Sequence, residues 1–379
     1  EIKGFRGFKK FRLNDLGRIN LLVGSNNGGK TSVLEAIQIL TSQGDIDPFY
    51  TTAMHRGEYI WQAYREKGAK PEIDICRFFY NYKMELKSCF SIQGKYKNFT
   101  NELQASIIKE ELDPFSNKMV LFDEKQENIS IYALKLSWID GMMQPELPGM
   151  PMKPSKTLTS RLSHQGGIPY GIPPRYTRSL AKQTDKVFFI STASLSSDEI
   201  IDLLDDIILT PEEQLVIDAI KIIEPTIERI ASIGSERKRA YTKSSAAKGG
   251  VVVKCKGIEQ RIPIGSMGDG IWRMLGITLA LVKAEGGILL IDEIDTGLHF
   301  TVMENMWKLI AKTAERLDVQ VFATTHSSDC WTSLATILYD EKTIDGNVSI
   351  QRIEKDTKEA VAFTEDEIII AAEREIEVR

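Results

Sequence analysis

The feature that most constrains this chain is Gly24-Ser25-Asn26-Asn27-Gly28-Gly29-Lys30-Thr31, which fits the pattern G-x-x-x-x-G-K-[ST]. Glycines at those places let successive backbone N–H groups turn inward around an anion. Before the loop, Ile19-Asn20-Leu21-Leu22-Val23 reads as a short apolar strand. After it, Thr31 to Leu40 has helical spacing, with Val33, Ile37 and Leu40 on one face. A helix starting near Lys30 points its positive end at the loop. Lys30 adds a cation for β and γ phosphates, and the Thr31 hydroxyl can hold Mg²⁺.

A second element lies far downstream. Gly287-Ile288-Leu289-Leu290-Ile291-Asp292-Glu293 places four consecutive aliphatics before two carboxylates. Such a run reads as a strand buried on both faces. Open α/β sheets place ligands at strand carboxyl ends. Asp292 can bind Mg²⁺ through a water, and Glu293 can polarise the water that attacks a γ phosphate. Ile294-Asp295-Thr296-Gly297-Leu298-His299 follows directly. A further apolar strand, Val319 to Thr324, leads through Thr325 to His326 and Ser327, and a histidine there can hydrogen-bond the γ phosphate or the attacking water. Upstream, Ser266, Gly268 and Gly270 precede a helix expected near Ile271, and can offer a hydroxyl and backbone N–H groups as a second anion site.

The remaining chain is less regular. Cys89 to Ile92 and Ile129 to Leu136 alternate as antiparallel strands do. Residues 141–178 are rich in Pro and Gly and read as an irregular loop. Helices are expected from about Ser197 to Ile208 and from Pro211 to Ile233, the second with Thr210 and Glu213 as a capping box. Residues 234–250 form a basic segment with Arg237, Lys238, Arg239, Lys243 and Lys248, the local candidate for nucleic-acid phosphates and equally a solvated hairpin. Thr364-Glu365-Asp366-Glu367 is a second capping box, and the tail reads as a strand pair and a helix.

Bulk properties exclude several classes. The net charge of −5 gives no global field toward DNA or acidic membranes. The 4 cysteines are far apart without a CxxC pair, so neither zinc nor a disulfide framework is expected, and a reducing cytoplasm is the default. No stretch approaches the roughly 20 apolar residues of a membrane helix.

Taken in order, GSNNGGKT, GSMGDG, ILLIDE, IDTGLH and TTHS resemble Walker A, signature, Walker B, D-loop and His switch of ABC-type ATPase heads. The group is that of SMC, RecF and OLD (overcoming lysogenization defect) proteins, and the OLD-like bacterial ATPases are the most similar in the Asn-rich loop and the Leu298-His299 pair. The resemblance covers about residues 1–40 and 185–335. It implies an α/β P-loop fold with a mixed central sheet, flanking helices, an antiparallel β lobe and a helical subdomain. The expected division is 1–185 for the N-terminal part of the head with the β lobe, 186–250 for the helical subdomain, and 251–379 for the rest of the head. The implied catalytic residues are Lys30, Glu293 and His326. Gly24, Asn26, Asn27, Gly28, Gly29, Lys30, Thr31, Ser32, Ser266, Gly268 and Asp295 would bind ATP, and Thr31 and Asp292 the Mg²⁺. It further implies a homodimer in which Ser266 and Gly268 complete the partner copy's site. The Gln of a Q-loop is not assigned among Gln43, Gln93 and Gln144. No long coiled coil interrupts the chain, and the segment after His326 is too short for a Toprim nuclease. A separate effector, such as a Toprim-type nuclease, is therefore expected, in bacterial defence or DNA maintenance. The alternative is an ATP-gated scaffold of slow turnover that holds or inhibits a protein effector.

Overall fold

Alternation of apolar strands with amphipathic helices should give a parallel sheet whose loops gather at one edge, and the computed structural model has one. It describes residues 1–60, 72–96, 99–110, 131–141, 153–169, 187–232, 250–340 and 348–379. In chain order, β1 (Ile2–Phe5) and β2 (Phe8–Phe11) make a hairpin, then β3 (Ile19–Val23) enters the glycine loop and α1 (Lys30–Thr41). Next come α2 (Asp47–Arg56), β4 (Tyr59–Ile60), β5 (Glu72–Asp74), β6 (Cys89–Tyr96) and β7 (Phe99–Glu110). β8 (Ile131–Ile139), β9 (Lys156–Arg161), β10 (Gly167–Pro169) and β11 (Val187–Ile190) precede α3 (Ser197–Ile207) and α4 (Glu212–Lys221). β12 (Ile227–Ser232), β13 (Val251–Cys255) and β14 (Ile262–Pro263) lead to α5 (Asp269–Lys283) and β15 (Ile288–Ile291). The chain continues through α6 (Phe300–Arg316), β16 (Gln320–Thr324), α7 (Ser328–Asp340), β17 (Val348–Arg352), β18 (Val361–Phe363) and α8 (Glu365–Glu373).

The chain divides into two compact units, Glu1–Arg12 with Glu35–Thr184 and Leu13–Leu34 with Asp185–Arg379. The second is built on a six-stranded sheet of order β11-β15-β16-β3-β17-β18, parallel except for β18. Every residue of β3 is buried, as a central parallel strand covered on both faces requires. Parallel register also puts the carboxyl ends of β11, β15, β16, β3 and β17 along one edge, where the Gly24–Thr31 loop leaves β3, Asp292 and Glu293 leave β15, and Thr325 and His326 leave β16.

The first unit carries a six-stranded antiparallel sheet, β2-β1-β6-β7-β8-β9. The same unit holds an ionic cluster around the buried Arg6 and Glu35. Arg6, 2 % exposed, contacts Glu35 at 2.7 Å and donates to both carboxylate oxygens of Glu58 at 2.8 and 3.0 Å. Arg56 reaches the other Glu35 oxygen at 2.5 Å. Burial pushes the Glu35 carboxyl upward against the pull of the two guanidinium groups.

Several sequence expectations are corrected. Of the expected helical subdomain 186–250, the described residues 187–232 and 250 are shared with the rest of the second unit: β11 is an edge strand of its six-stranded sheet, and α3 and α4 belong to the same core as α5. The helix expected from Pro211 to Ile233 stops at Lys221, and Ile227–Ser232 pairs with β13 instead. Pro225 explains this, since a helix interior cannot accommodate its missing N–H. Thr210 does not cap α4: its hydroxyl donates to the Ile207 carbonyl, and Glu213 accepts from the Leu209 N–H. The 141–178 stretch is not wholly irregular, because β9 extends the antiparallel sheet and β10 pairs with β5. The capping box of Thr364 and Glu367 is formed. The basic positions Arg237 to Lys248, and Gln144, lie outside the described residues, while Gln43 follows α1 and Gln93 sits in β6. Among the described residues no helix is long and apolar enough to cross a membrane.

Candidate nucleotide site

The loop after β3 wraps as its glycines require. Gly24 has φ +131°, and a Cβ there would meet the Ile353 carbonyl oxygen at 2.2 Å. Asn27 (φ +60°) and Gly29 (φ +100°) complete the inward turn. α1 starts at Lys30, so its unpaired N–H groups face the loop. Lys30, 5 % exposed, folds back on its own loop, donating from Nζ to the carbonyls of Gly24 at 2.8 Å and Ser25 at 3.0 Å.

The carboxylates arrive from β15. Thr31 Oγ1 donates to Asp292 at 3.0 Å (Oδ1) and 3.2 Å (Oδ2). Thr324, at the end of β16, braces the same turn: its hydroxyl donates to Asp292 Oδ1 at 2.7 Å and accepts the Glu293 N–H at 2.7 Å. Ile294 N–H donates to the Thr324 carbonyl at 3.0 Å. Glu293 is held at φ +49°, a left-handed conformation that a side-chain-bearing residue adopts only when its surroundings enforce it. Thr325 donates to Asp295 Oδ1 at 2.6 Å, which ties the residue after the Walker B turn to the strand that carries His326.

His326 Nδ1 stands 3.4 Å from Lys30 Nζ. Burial, and next the Lys30 charge, hold the imidazole below its ordinary pKa. It is therefore neutral near pH 7, with Nδ1 facing the ammonium as acceptor and Nε2–H left as a donor. Burial also brings Lys30 down to about 8, against the opposing pull of Asp292 and Glu293. The His326 carbonyl accepts from Arg379 at 2.6 Å.

Lys30, Thr31, Asp292, Glu293, Asp295 and His326 thus converge through direct bonds or shared braces. Ser266 and Gly268 do not join them by hydrogen bonds among the described residues. Ser266 lies in a 3-10 turn, Ile264–Met267, and Gly268 has φ +97° with open space around its α-carbon. α5 then begins at Asp269, slightly before the expected Ile271. A Cβ on Gly270 would meet the Gly297 carbonyl oxygen at 3.0 Å, so the start of α5 is pressed on the D-loop.

Sequence reasoning passed over three residues here. Thr324 and Thr325 stand inside the TTHS motif, but nothing in their sequence positions marks them as braces for Asp292, Glu293 and Asp295. Arg273 was missed as well, although a single cation in the apolar run of α5 is itself a signal.

Several known proteins are similar to this chain. An ATP/GTP phosphatase of Helicobacter pylori is 21% identical over 347 residues, covering 86% of this chain and 84% of that protein. An uncharacterized protein of Methanocaldococcus jannaschii is 29% identical over 129 residues, covering 34% of this chain and 53% of that protein. A crystal structure of an Smc head bound to the C-winged helix domain of ScpA aligns over 96% of this chain and 97% of its own at 12% identity, with a TM-score of 0.44. The SMC head domain from Thermotoga maritima aligns over 96% of each chain at 9% identity, with a TM-score of 0.39. The pattern of the AAA ATPase domain family matches residues 1–165 and 171–330, and with the phosphate loop, acidic strand end and histidine in one place, this chain belongs to that family.

Proposed function

We propose that the chain hydrolyses ATP to ADP and phosphate with Mg²⁺, closes into a homodimer on ATP, and through that cycle regulates a separate effector protein. One observation carries the reading: Thr31 Oγ1 lies 3.0 Å from Asp292 Oδ1, beside an ammonium 3.4 Å from His326. A hydroxyl and a carboxylate sharing one approach are the oxygen donors that a hard divalent cation takes, so Thr31 and Asp292 fit Mg²⁺. When bound, the ion neutralises charge on the β and γ phosphate oxygens.

The other roles belong to the chain itself. Lys30 leaves the Gly24 and Ser25 carbonyls for the phosphate oxygens. Loop amides from Asn26 to Ser32 hold the remaining oxygens at the N-terminus of α1. Glu293 accepts a proton from the attacking water, and His326 donates Nε2–H to the γ phosphate. Ser266 and Gly268 serve a nucleotide held by a second copy, with Asp295 at the join. The dimer, the effector and a setting in bacterial defence or DNA maintenance rest on the resemblance of the motif set.

Glu293→Gln tests the chemistry. Nucleotide affinity should stay within a few-fold, while turnover falls about 10²–10⁴-fold, the usual worth of a general base. With ATP and Mg²⁺, light scattering of this variant should report twice the monomer mass. Unchanged turnover would refute the role of Glu293, and a monomer mass at saturating ATP would remove the dimer.

A further inference from the structure

Arg273 is a buried cation that the chemistry above leaves without a role. It is 2 % exposed and sits on the first turns of α5, beyond the Ser266–Gly268 loop. Among the described residues its three hydrogen bonds go to backbone carbonyls: Nη1 to Ser191 at 2.9 Å, Nη2 to Asp292 at 2.7 Å and to Glu293 at 2.8 Å. Burying a guanidinium without a bonded carboxylate is costly, so the geometry it enforces needs a reason. Burial holds it down to about 10, which leaves it fully charged at neutral pH.

The carbonyls it gathers explain the placement. Parallel strands leave C=O groups at their carboxyl ends without ladder partners, and buried carbonyls must be paired. Ser191 follows β11 and Asp292 follows β15, which are neighbours in the sheet. Glu293 is in the left-handed region at φ +49°, where its peptide would otherwise relax. Thr324 holds the N–H side of that residue at 2.7 Å, and Arg273 holds its C=O side. A planar fork can meet three carbonyls at once, whereas an ammonium on a flexible stem cannot fix the same directions.

We propose that Arg273 is a positioning residue: it fixes the backbone of Glu293, and so the carboxylate that orients the attacking water, to the first turns of the helix that carries the Ser266–Gly268 loop. This rests on the hydrolysis reading above. A displacement of that loop along α5 is then passed to Glu293 through one side chain. Misplacing a reacting group by about 1 Å costs on the order of 10²-fold in rate.

The experiment compares the full chain, Arg273→Lys, Glu293→Gln and the double variant. The readings are affinity for a fluorescent ATP analogue and single-turnover ATP hydrolysis with Mg²⁺. Arg273→Lys should bind within about 3-fold of the parent and hydrolyse about 10²-fold more slowly. Adding Arg273→Lys to Glu293→Gln should change the residual rate little, because both act through one group. A general structural lesion would instead lower affinity, and would lower the double variant's rate by the full factor. Should the lysine variant not fold, Arg273→Gln, which buries no charge, is measured the same way. A native hydrolysis rate in the folded variant, or additive losses in the double variant, overturns the proposal. If Glu293→Gln itself hydrolyses normally, the failure lies in the reading of the site and not in Arg273.

Discussion

Replacing Gly24 by Ala tests the closest approach in the nucleotide site. The added Cβ would lie 2.2 Å from the Ile353 carbonyl oxygen and 3.2 Å from its carbon. Relief needs a retreat of about 1 Å, since attractive contacts sit near 3.5 Å. The obstacle is backbone, and Ile353 is itself tied to β3 by its N–H to the Val23 carbonyl at 2.9 Å. A φ of +131° also belongs to glycine, and a side chain there costs about 1–3 kcal/mol. Loosening the Ile353 bond adds about 1 kcal/mol. The sum is about 3 kcal/mol, or less if the loop opens and gives up its phosphate-binding shape. Gly286→Ala is the control, because Gly286 has φ +69° with nothing near the new Cβ, and it should cost about 1 kcal/mol. At about 2–4 °C per kcal/mol for a unit of this size, Tm should fall by about 6–12 °C for Gly24→Ala and 2–4 °C for the control. Fluorescent nucleotide titration should show weakened binding only in Gly24→Ala. Equal Tm losses with unchanged affinity would refute the close approach of Gly24 and Ile353.

Four further outcomes follow from contacts described above. Thr324→Val keeps the shape but leaves the Asp292 carboxylate and the Glu293 N–H each short of a partner at 2.7 Å; stability should fall by about 1–3 kcal/mol and hydrolysis should suffer more than nucleotide affinity, as urea titration and kinetics can read. Lys30 has its folded pKa depressed to about 8 against 10.5. Between those values the unfolded chain binds more protons, so the stability of the nucleotide-free protein should rise with pH there, by a slope that Lys30→Met removes. Bound phosphate favours the ammonium, so affinity for ATP should fall as pH climbs above about 8, with proton uptake visible by calorimetry in two buffers. Arg6→Leu removes the guanidinium shared by Glu35 and Glu58, leaving Glu35 to Arg56, and should destabilise by about 3 kcal/mol in chemical denaturation; a loss below about 1 kcal/mol would mean that the cluster is not held as a unit.

Local chemistry made much of this legible in advance. The phosphate loop is written in eight consecutive residues, from Gly24 to Thr31, whose turn depends on neighbours in the chain. Four aliphatics followed by Asp292 and Glu293 announce a buried strand and a charged end, because a run that is apolar on both faces suits only a covered strand. Thr364 and Glu367 cap a helix with groups three residues apart, and that pairing forms as expected. The same rules misjudged Pro211 to Ile233, where isoleucine spacing suggested one helix and Pro225 ended it.

What the sequence determined by itself was therefore the glycine loop, the acidic strand end and the strands that present them. Tertiary structure decided which groups meet. Asp292 reaches Thr31 only because β3 and β15 flank β16 in one parallel sheet. Gly24 must lack a side chain because Ile353 closes over it, and Arg273 finds its carbonyls only where β11 and β15 end together. Periodicity and propensity report on neighbours a few residues away, whereas these contacts join segments far apart along the chain and exist only once the sheet order is set.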